Sequence, residues 1–265
     1  MARRGRAARS LSVLLVEDTP ANHRIISRIL EDRGHRVTVA ENGEQALACF
    51  RHQTFDVVVM DVELPTMDGY EVATAMRQLD KLKSGRTPIL MLTAAHLEPD
   101  RLAGAGLECY LTKPIDVARL ISRIERTAEV GWPRSEPLPT CSDRPADDDP
   151  ATTFTVNIAA TVRRLGGDFD LLEKFIDVFN EDSLQLIESL KMAAAAKDMR
   201  AVRRAAHALR GLASNFDAHE LMETTYRIEH APPDAQVPFQ ELSEVADEVD
   251  RVRNALQAYR GGCLT

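Results

Sequence analysis

The chain predicts two folds in series: a doubly wound α/β domain with a five-stranded parallel sheet, followed by an all-α helical bundle. Three observations carry this. Short, strongly apolar runs alternate with amphipathic helical stretches as far as residue 128. A Pro-rich acidic segment then interrupts every periodicity, and beyond it only helical patterning survives. A length of 265 residues suits about two domains of ordinary size.

In the first part the order is βαβαβαβαβα. The strand-like runs are LSVLLV, RVTVA, FDVVVM, PILMLT and ECYLT, and the helical stretches between them cover 21–30, 44–50, 70–79, a brief helix after PILMLT, and 115–128. Runs such as Val57, Val58, Val59 and Met60 are apolar on consecutive positions, as required when helices cover both faces of a parallel sheet. The domain is read as residues 10–128, with residues 1–9 (MARRGRAAR) a basic disordered tail. Pro133, Pro137, Pro139, Pro145 and Pro150, with the run Asp147 to Asp149, make 129–151 a semi-stiff linker. Residues 152–262 then read as the bundle, with helices over 157–165, 168–197, 199–215, 221–230 and 239–259 and a break expected near Glu181 or Asp182 in the longest.

Composition narrows the function classes. Hydrophobic residues are 44% and charged residues 28%, which excludes collagen-like and wholly disordered chains. No apolar run approaches the roughly 20 residues of a bilayer span, and the basic N-terminus lacks a small-residue cleavage site, so a cytoplasmic location is expected. Cys49, Cys109, Cys141 and Cys263 form no CxxC pair and read as ordinary thiols. Residues 1–126 carry 18 basic and 17 acidic side chains (+1), and 127–265 carry 15 and 24 (−9), so nucleic acid is not the expected partner.

Ligands of an open parallel sheet sit beyond the carboxyl ends of its strands. Four of the five predicted strands end in reactive groups: Glu17 and Asp18, then Asp61, Thr93 and Lys113. Converging carboxylates repel by on the order of 4 kcal/mol per pair at 4 Å and an effective dielectric of 20. A divalent cation removes that cost, and an all-oxygen donor set favours Mg²⁺. Lys113 could neutralise a phosphoryl oxygen and Thr93 could donate a hydrogen bond to another, so the set suits phosphorylation of an aspartate. Asp18 or Asp68 alone would serve equally as a helix cap.

These motifs, LLVEDTPAN, MDVELPTMDGYE, LTA and YLTKP, resemble the flavodoxin-like receiver domain of two-component response regulators. The resemblance implies Asp61 as phosphoacceptor; Asp18, Asp61 and the Glu63 carbonyl on Mg²⁺; Glu17 acting through water; Thr93 and Tyr110 as a switch pair; and a cis bond between Lys113 and Pro114. The stretch from Thr93 to Lys113 is about two residues shorter than is usual in that family, and Pro99, Gly104 and Gly106 weaken its helix.

In the bundle, His207 stands out. At 100° per residue, Val202, Ala205, Ala206, Leu209, Leu212 and Ala213 lie about 140–260° from it and form the core stripe. Arg200, Arg203, Arg204, Arg210, Gly211 and Ser214 lie within about 60°, so His207 is predicted to project from a basic, polar face. Taken alone this is what solvated surface looks like. However, RRAAHALRGLASNFDA resembles the histidine phosphotransfer (HPt) motif, a His followed by a basic residue three places on and Gly four places on. That implies His207 as phosphohistidine with Arg203, Arg204, Arg210 and Gly211 in support, while Asp217 departs from the family's usual Gly. The remaining histidines (His23, His35, His52, His96, His219, His230) are expected at the surface, Met192 and Met199 in the bundle core, and Trp132 in the linker.

The function expected is a phosphorelay intermediate, with Asp61 charged by a sensor histidine kinase and His207 exchanging phosphoryl with a receiver aspartate of a response regulator, in cis or in trans. No GxxxxGK[ST] loop or kinase lid occurs, so the ATP-using donor is expected elsewhere, and no small-molecule ligand is expected. Two alternatives are a phosphorylation-switched module that sequesters a receiver without relay through His207, and an aspartyl-phosphate hydrolase with Glu63 in the place of the usual second acid.

Overall fold

Parallel pairing of five strands organises the first of two units, which divide at residues 148 and 149 in a computed structural model. The structure describes residues 9–64, 67–82, 86–93, 107, 109–130, 155–232 and 237–262. The first unit runs β1 (Ser12–Val16), α1 (Pro20–Asp32), β2 (Arg36–Ala40), α2 (Gly43–His52), β3 (Val57–Asp61), α3 (Gly69–Leu82), β4 (Ile89–Thr93), β5 (Cys109–Thr112) and α4 (Val117–Val130). The sheet order is β2-β1-β3-β4-β5. The winding order, not the strand direction, reverses between β1 and β3, which opens a crevice at their carboxyl ends. The register pairs Val16 with Met60 and Thr93 with Thr112, bringing the strand-end residues to one edge.

Alternation along the strands sends consecutive apolar residues to opposite faces. Leu14, Val16, Val58, Met60, Ile89 and Met91 pack with Phe50 and Met76 from α2 and α3. Val13, Leu15, Val57, Val59, Leu90 and Leu92 pack with Ile26 and Leu30 from α1 and Leu120 and Ile124 from α4. The doubly wound prediction therefore holds. The predicted brief helix before β5, tail residues 1–8, His96, Trp132, Cys141, Cys263 and most of the predicted linker lie outside the described residues.

His35 corrects an expectation: it is 4% exposed, not at the surface. It follows the turn out of α1, where β2 enters beside Leu11, and its Nδ1 accepts a bond from the Leu11 N–H at 3.4 Å. Nε2 lies 3.7 Å from Glu125 of α4. Burial lowers the His35 pKa from its usual value of 6.5, partly countered by Glu125 and reinforced by Arg33. The unfolded chain therefore binds this proton first, and the stability contributed by neutral His35 is lost as pH falls below 6.5. The midpoint of thermal unfolding should drop from pH 7.5 to 5.5 by more in wild type than in His35→Gln; equal drops would place His35 in water.

The second unit contains α5 (Ile158–Arg164), α6 (Phe169–Ala195), α7 (Met199–Ser214), α8 (His219–Glu229) and α9 (Phe239–Arg260). The expected break near Glu181 and Asp182 is absent. Phe175, Phe179, Ser183, Ile187 and Leu190 keep one buried stripe through that point, so packing carries the helix across the two acids. Asp168 and Asp198 cap α6 and α7 through their carboxylates. Met192 is a second correction, 66% exposed, because Leu190 and Ala193 take the core-facing positions around it; Met199 is half-buried.

The departure at Asp217 has a structural account. Its φ is 51°, the left-handed region that Gly enters without steric cost and Asp tolerates better than most residues. Arg164 from α5 holds both carboxylate oxygens, at 2.9 and 3.1 Å, and reaches the Asn215 carbonyl at 2.9 Å. The side chain thus ties α5 to the end of α7.

Candidate functional site

The receiver-like site forms where β1, β3 and β5 end. Glu17 follows β1 with its side chain buried, Asp61 ends β3 with 1% of its side chain exposed, and Lys113 follows β5 with 12% exposed. Lys113 Nζ donates to Asp61 Oδ2 at 2.5 Å and to Glu17 Oε2 at 3.2 Å. Its backbone N–H donates to the Thr93 carbonyl at 2.6 Å, and the Lys113–Pro114 bond is cis. Asn22 donates to Glu17 Oε1 at 3.0 Å, and the Glu63 N–H donates to Asp61 Oδ1 at 3.2 Å.

Two buried carboxylates thus face one ammonium. Burial raises Asp61 to about 7, opposed by Lys113 and assisted by repulsion from Glu17. Burial would also raise Glu17, but Lys113 and the bonds from Asn22 and Thr19 prevail and lower it. Lys113 is raised: its two acidic partners outweigh the burial that would discharge it. Asp18 is half-buried and offers a carboxylate oxygen within 4.8 Å of one from Asp61. This negative, all-oxygen set fits a hard divalent cation. Asp68, by contrast, accepts the Tyr70 N–H at 2.9 Å and acts as the cap of α3. Thr93 is buried at the end of β4, and Tyr110 is half-buried against the core.

In the bundle, α8 packs along α7 and brings Glu229 to His207. His207 Nδ1 lies 2.8 Å from Glu229 Oε1. Arg210 donates from Nε to Glu229 Oε2 at 2.8 Å and from Nη2 to Oε1 at 3.3 Å. These bonds hold the Glu229 carboxyl down at about 2 against a burial that would raise it. Arg203 donates to the Ala231 carbonyl at 2.7 Å, just past α8; Arg204 is exposed, and Gly211 is half-buried.

Glu229 was not among the sequence candidates. It lies 22 residues beyond His207 on another helix, where no local spacing marks it. Asn22 was also missed, although its place five residues after Glu17, in the first turn of α1, is a usable signal.

Residues 13–125 match the response regulator receiver domain family and residues 171–258 match the Hpt domain family. The transcriptional regulatory protein TcrA of Mycobacterium tuberculosis is 34% identical over 180 residues, 65% of this chain and 68% of TcrA. The virulence sensor protein BvgS of Bordetella pertussis is 32% identical over 234 residues, which span 83% of this chain but only 18% of BvgS. Among solved structures, the chemotaxis protein CheY4 of Vibrio cholerae is 32% identical, covering 44% of this chain and 98% of that one with a TM-score of 0.42.

Proposed function

The chain belongs to the response regulator receiver family and carries an Hpt domain after its receiver, and from this premise we propose that it relays phosphoryl groups between aspartate and histidine. Asp61 accepts a phosphoryl group from the phosphohistidine of a sensor histidine kinase. His207 exchanges phosphoryl with a receiver aspartate, in this chain or in a partner response regulator. The observation that supports this best is Asp61 buried at a strand end with Lys113 bonded to it, a nucleophilic carboxylate beside a fixed cation.

Asp18, Asp61 and the Glu63 carbonyl would hold Mg²⁺, with Glu17 acting through water, and the ion would offset charge on the transferring phosphoryl oxygens. Lys113 holds Asp61 in line and supplies positive charge at one oxygen. Thr93 and Tyr110 are read as the pair that reports phosphorylation to the surface. In this reading residues 10–128 are the receiver, 129–151 the linker and 152–262 the phosphotransfer bundle, acting in the cytoplasm.

The test is incubation with acetyl phosphate and Mg²⁺ of wild type, Asp61→Ala and His207→Gln, read by mass spectrometry that preserves acid-labile phosphate. Acyl phosphate is expected at Asp61 in wild type and His207→Gln and nowhere in Asp61→Ala. Label reaching His207 only when Asp61 is present would make this chain's own receiver its donor; label confined to Asp61 would leave His207 to a receiver in trans or the bundle to a binding role. No label at Asp61 overturns the reading.

A further inference from the structure

We infer that His35 is a proton-operated switch between the two ends of the first unit: uncharged it fastens the chain entering β1, and protonated it releases that chain and grips α4. The inference needs only the fold of this unit and is independent of the relay reading.

Three segments meet at this imidazole, whose side chain is wholly buried. The turn after α1 carries it, with the His35 N–H bonded to the Leu30 carbonyl at 3.1 Å. The chain entering β1 is tied to the same turn by Ser10, whose hydroxyl donates to the Gly34 carbonyl at 2.6 Å, and by the Arg36 N–H, which donates to the Leu11 carbonyl at 2.7 Å. The last helix of the unit, α4, brings Glu125. The charges that act on the ring are Glu125 from α4 and Arg33 from its own turn, while the chain entering β1 presents the Leu11 N–H.

The hydrogen bonding of the ring is incomplete. Nδ1 accepts from the Leu11 N–H, so in the uncharged ring the proton sits on Nε2. Nε2 lies 3.7 Å from Glu125 Oε1, too far for a hydrogen bond, and among the described residues neither of these two buried atoms has another partner. A buried donor thus faces a buried acceptor across a gap, an arrangement that costs free energy until it closes. Closing it draws the ring away from Leu11, whose bond is already long at 3.4 Å. A proton taken from solvent onto Nδ1 decides between the two. Two donors then oppose each other at Leu11, and Nε2 carries part of a full positive charge opposite the carboxylate. The same proton therefore breaks the contact on one side and strengthens it on the other. Burial keeps the ring uncharged until the pH falls below its usual 6.5, in spite of Glu125, so both changes belong to acid.

The experiment follows the full chain in wild type, His35→Gln and Glu125→Gln from pH 7.5 to about 5. Imidazole and amide ¹⁵N spectra report His35 and Leu11, and carboxyl ¹³C spectra report Glu125, each side chain identified by the loss of its signal in its own variant. Thermal unfolding at pH 7.5 reports folding. Wild type should show the Nε2–H form at pH 7.5, and the Leu11 amide and the Glu125 carboxyl should both move with the midpoint of His35. In Glu125→Gln that midpoint should fall by about tenfold in proton affinity, with the Leu11 amide still following it. In His35→Gln the Leu11 amide should show no step; if that variant does not fold, wild type and Glu125→Gln decide. An Nδ1–H ring at pH 7.5, a Leu11 amide indifferent to His35 titration, or a His35 midpoint unchanged in Glu125→Gln overturns the inference. None of these signals depends on phosphorylation, so an Asp61 that never takes phosphoryl would remove the relay reading and leave the switch standing.

Discussion

Replacing Lys113 with Met is expected to destabilise the receiver by about 3–5 kcal/mol in the absence of divalent ions, the usual cost of stranding buried charge by removing one partner. Lys113 Nζ is bonded to Glu17, 96 residues away in sequence, and to Asp61, 52 away, so one side chain neutralises the ends of two strands. Without it Glu17 and Asp61 face each other across a buried site that keeps donors from Asn22 and the Thr19 and Glu63 N–H groups. One carboxyl must then take a proton or the crevice must open to water. Addition of Mg²⁺ should recover part of the loss, because a ligand that binds only the folded state stabilises it by about 2.7 kcal/mol at 100 times its Kd. Denaturant unfolding of the full chain, with and without Mg²⁺, measures both; the receiver transition is the one that responds to the ion. A Lys113→Met protein as stable as wild type in chelator would show that the two carboxylates are already hydrated. Acyl phosphate on Asp61 should fall with it, since the same ammonium is the proposed partner of a phosphoryl oxygen.

Gly69→Ala should cost about 2–3 kcal/mol and reduce labelling of Asp61 several-fold. A Cβ at residue 69 would stand 2.3 Å from the Asp61 carbonyl oxygen and 3.0 Å from Val62 Cα and Met91 Cε. The methionine methyl can turn away, but the other two atoms are backbone of the segment that carries the phosphoacceptor. That segment cannot yield easily, because the Gly69 N–H is itself bonded to the Val62 carbonyl at 3.0 Å. Gly167 is the control. Its φ is +78° with nothing within 4 Å, so Ala there meets conformational strain of roughly 1–2 kcal/mol and no collision. Urea unfolding of the two variants beside wild type separates close approach from backbone strain; equal losses would refute the steric account.

The acidic site was legible in the sequence because strand ends mark it. A strand buried on both faces shows as a continuous apolar run, and the residue that ends the run lies at the rim of a doubly wound sheet; Asp61, Thr93 and Lys113 were found in this way. His207 was legible for a related reason: the apolar stripe of α7 fixes which side of the helix turns away from the core. Helical periodicity says nothing about what covers the other side. Hence His35, expected at the surface, is buried between the Leu11 N–H and Glu125 of α4, and Met192, expected in the core, is exposed because its helix has other residues for that role.

The fold class of both parts, the strand ends that hold Glu17, Asp18, Asp61, Thr93 and Lys113, and the helix face that bears His207 could all be read from residue patterning along the chain. Packing between helices was needed to show that α6 runs unbroken past Glu181 and Asp182, that Arg164 pins Asp217 in a left-handed turn, that Arg203 reaches a backbone carbonyl, and that Glu229 takes the Nδ1 edge of His207. The division has one physical cause. Periodicity and strand-end chemistry are local and recur within a few residues, whereas each of the latter contacts depends on packing across the bundle, and its partners are brought together only when the helices dock.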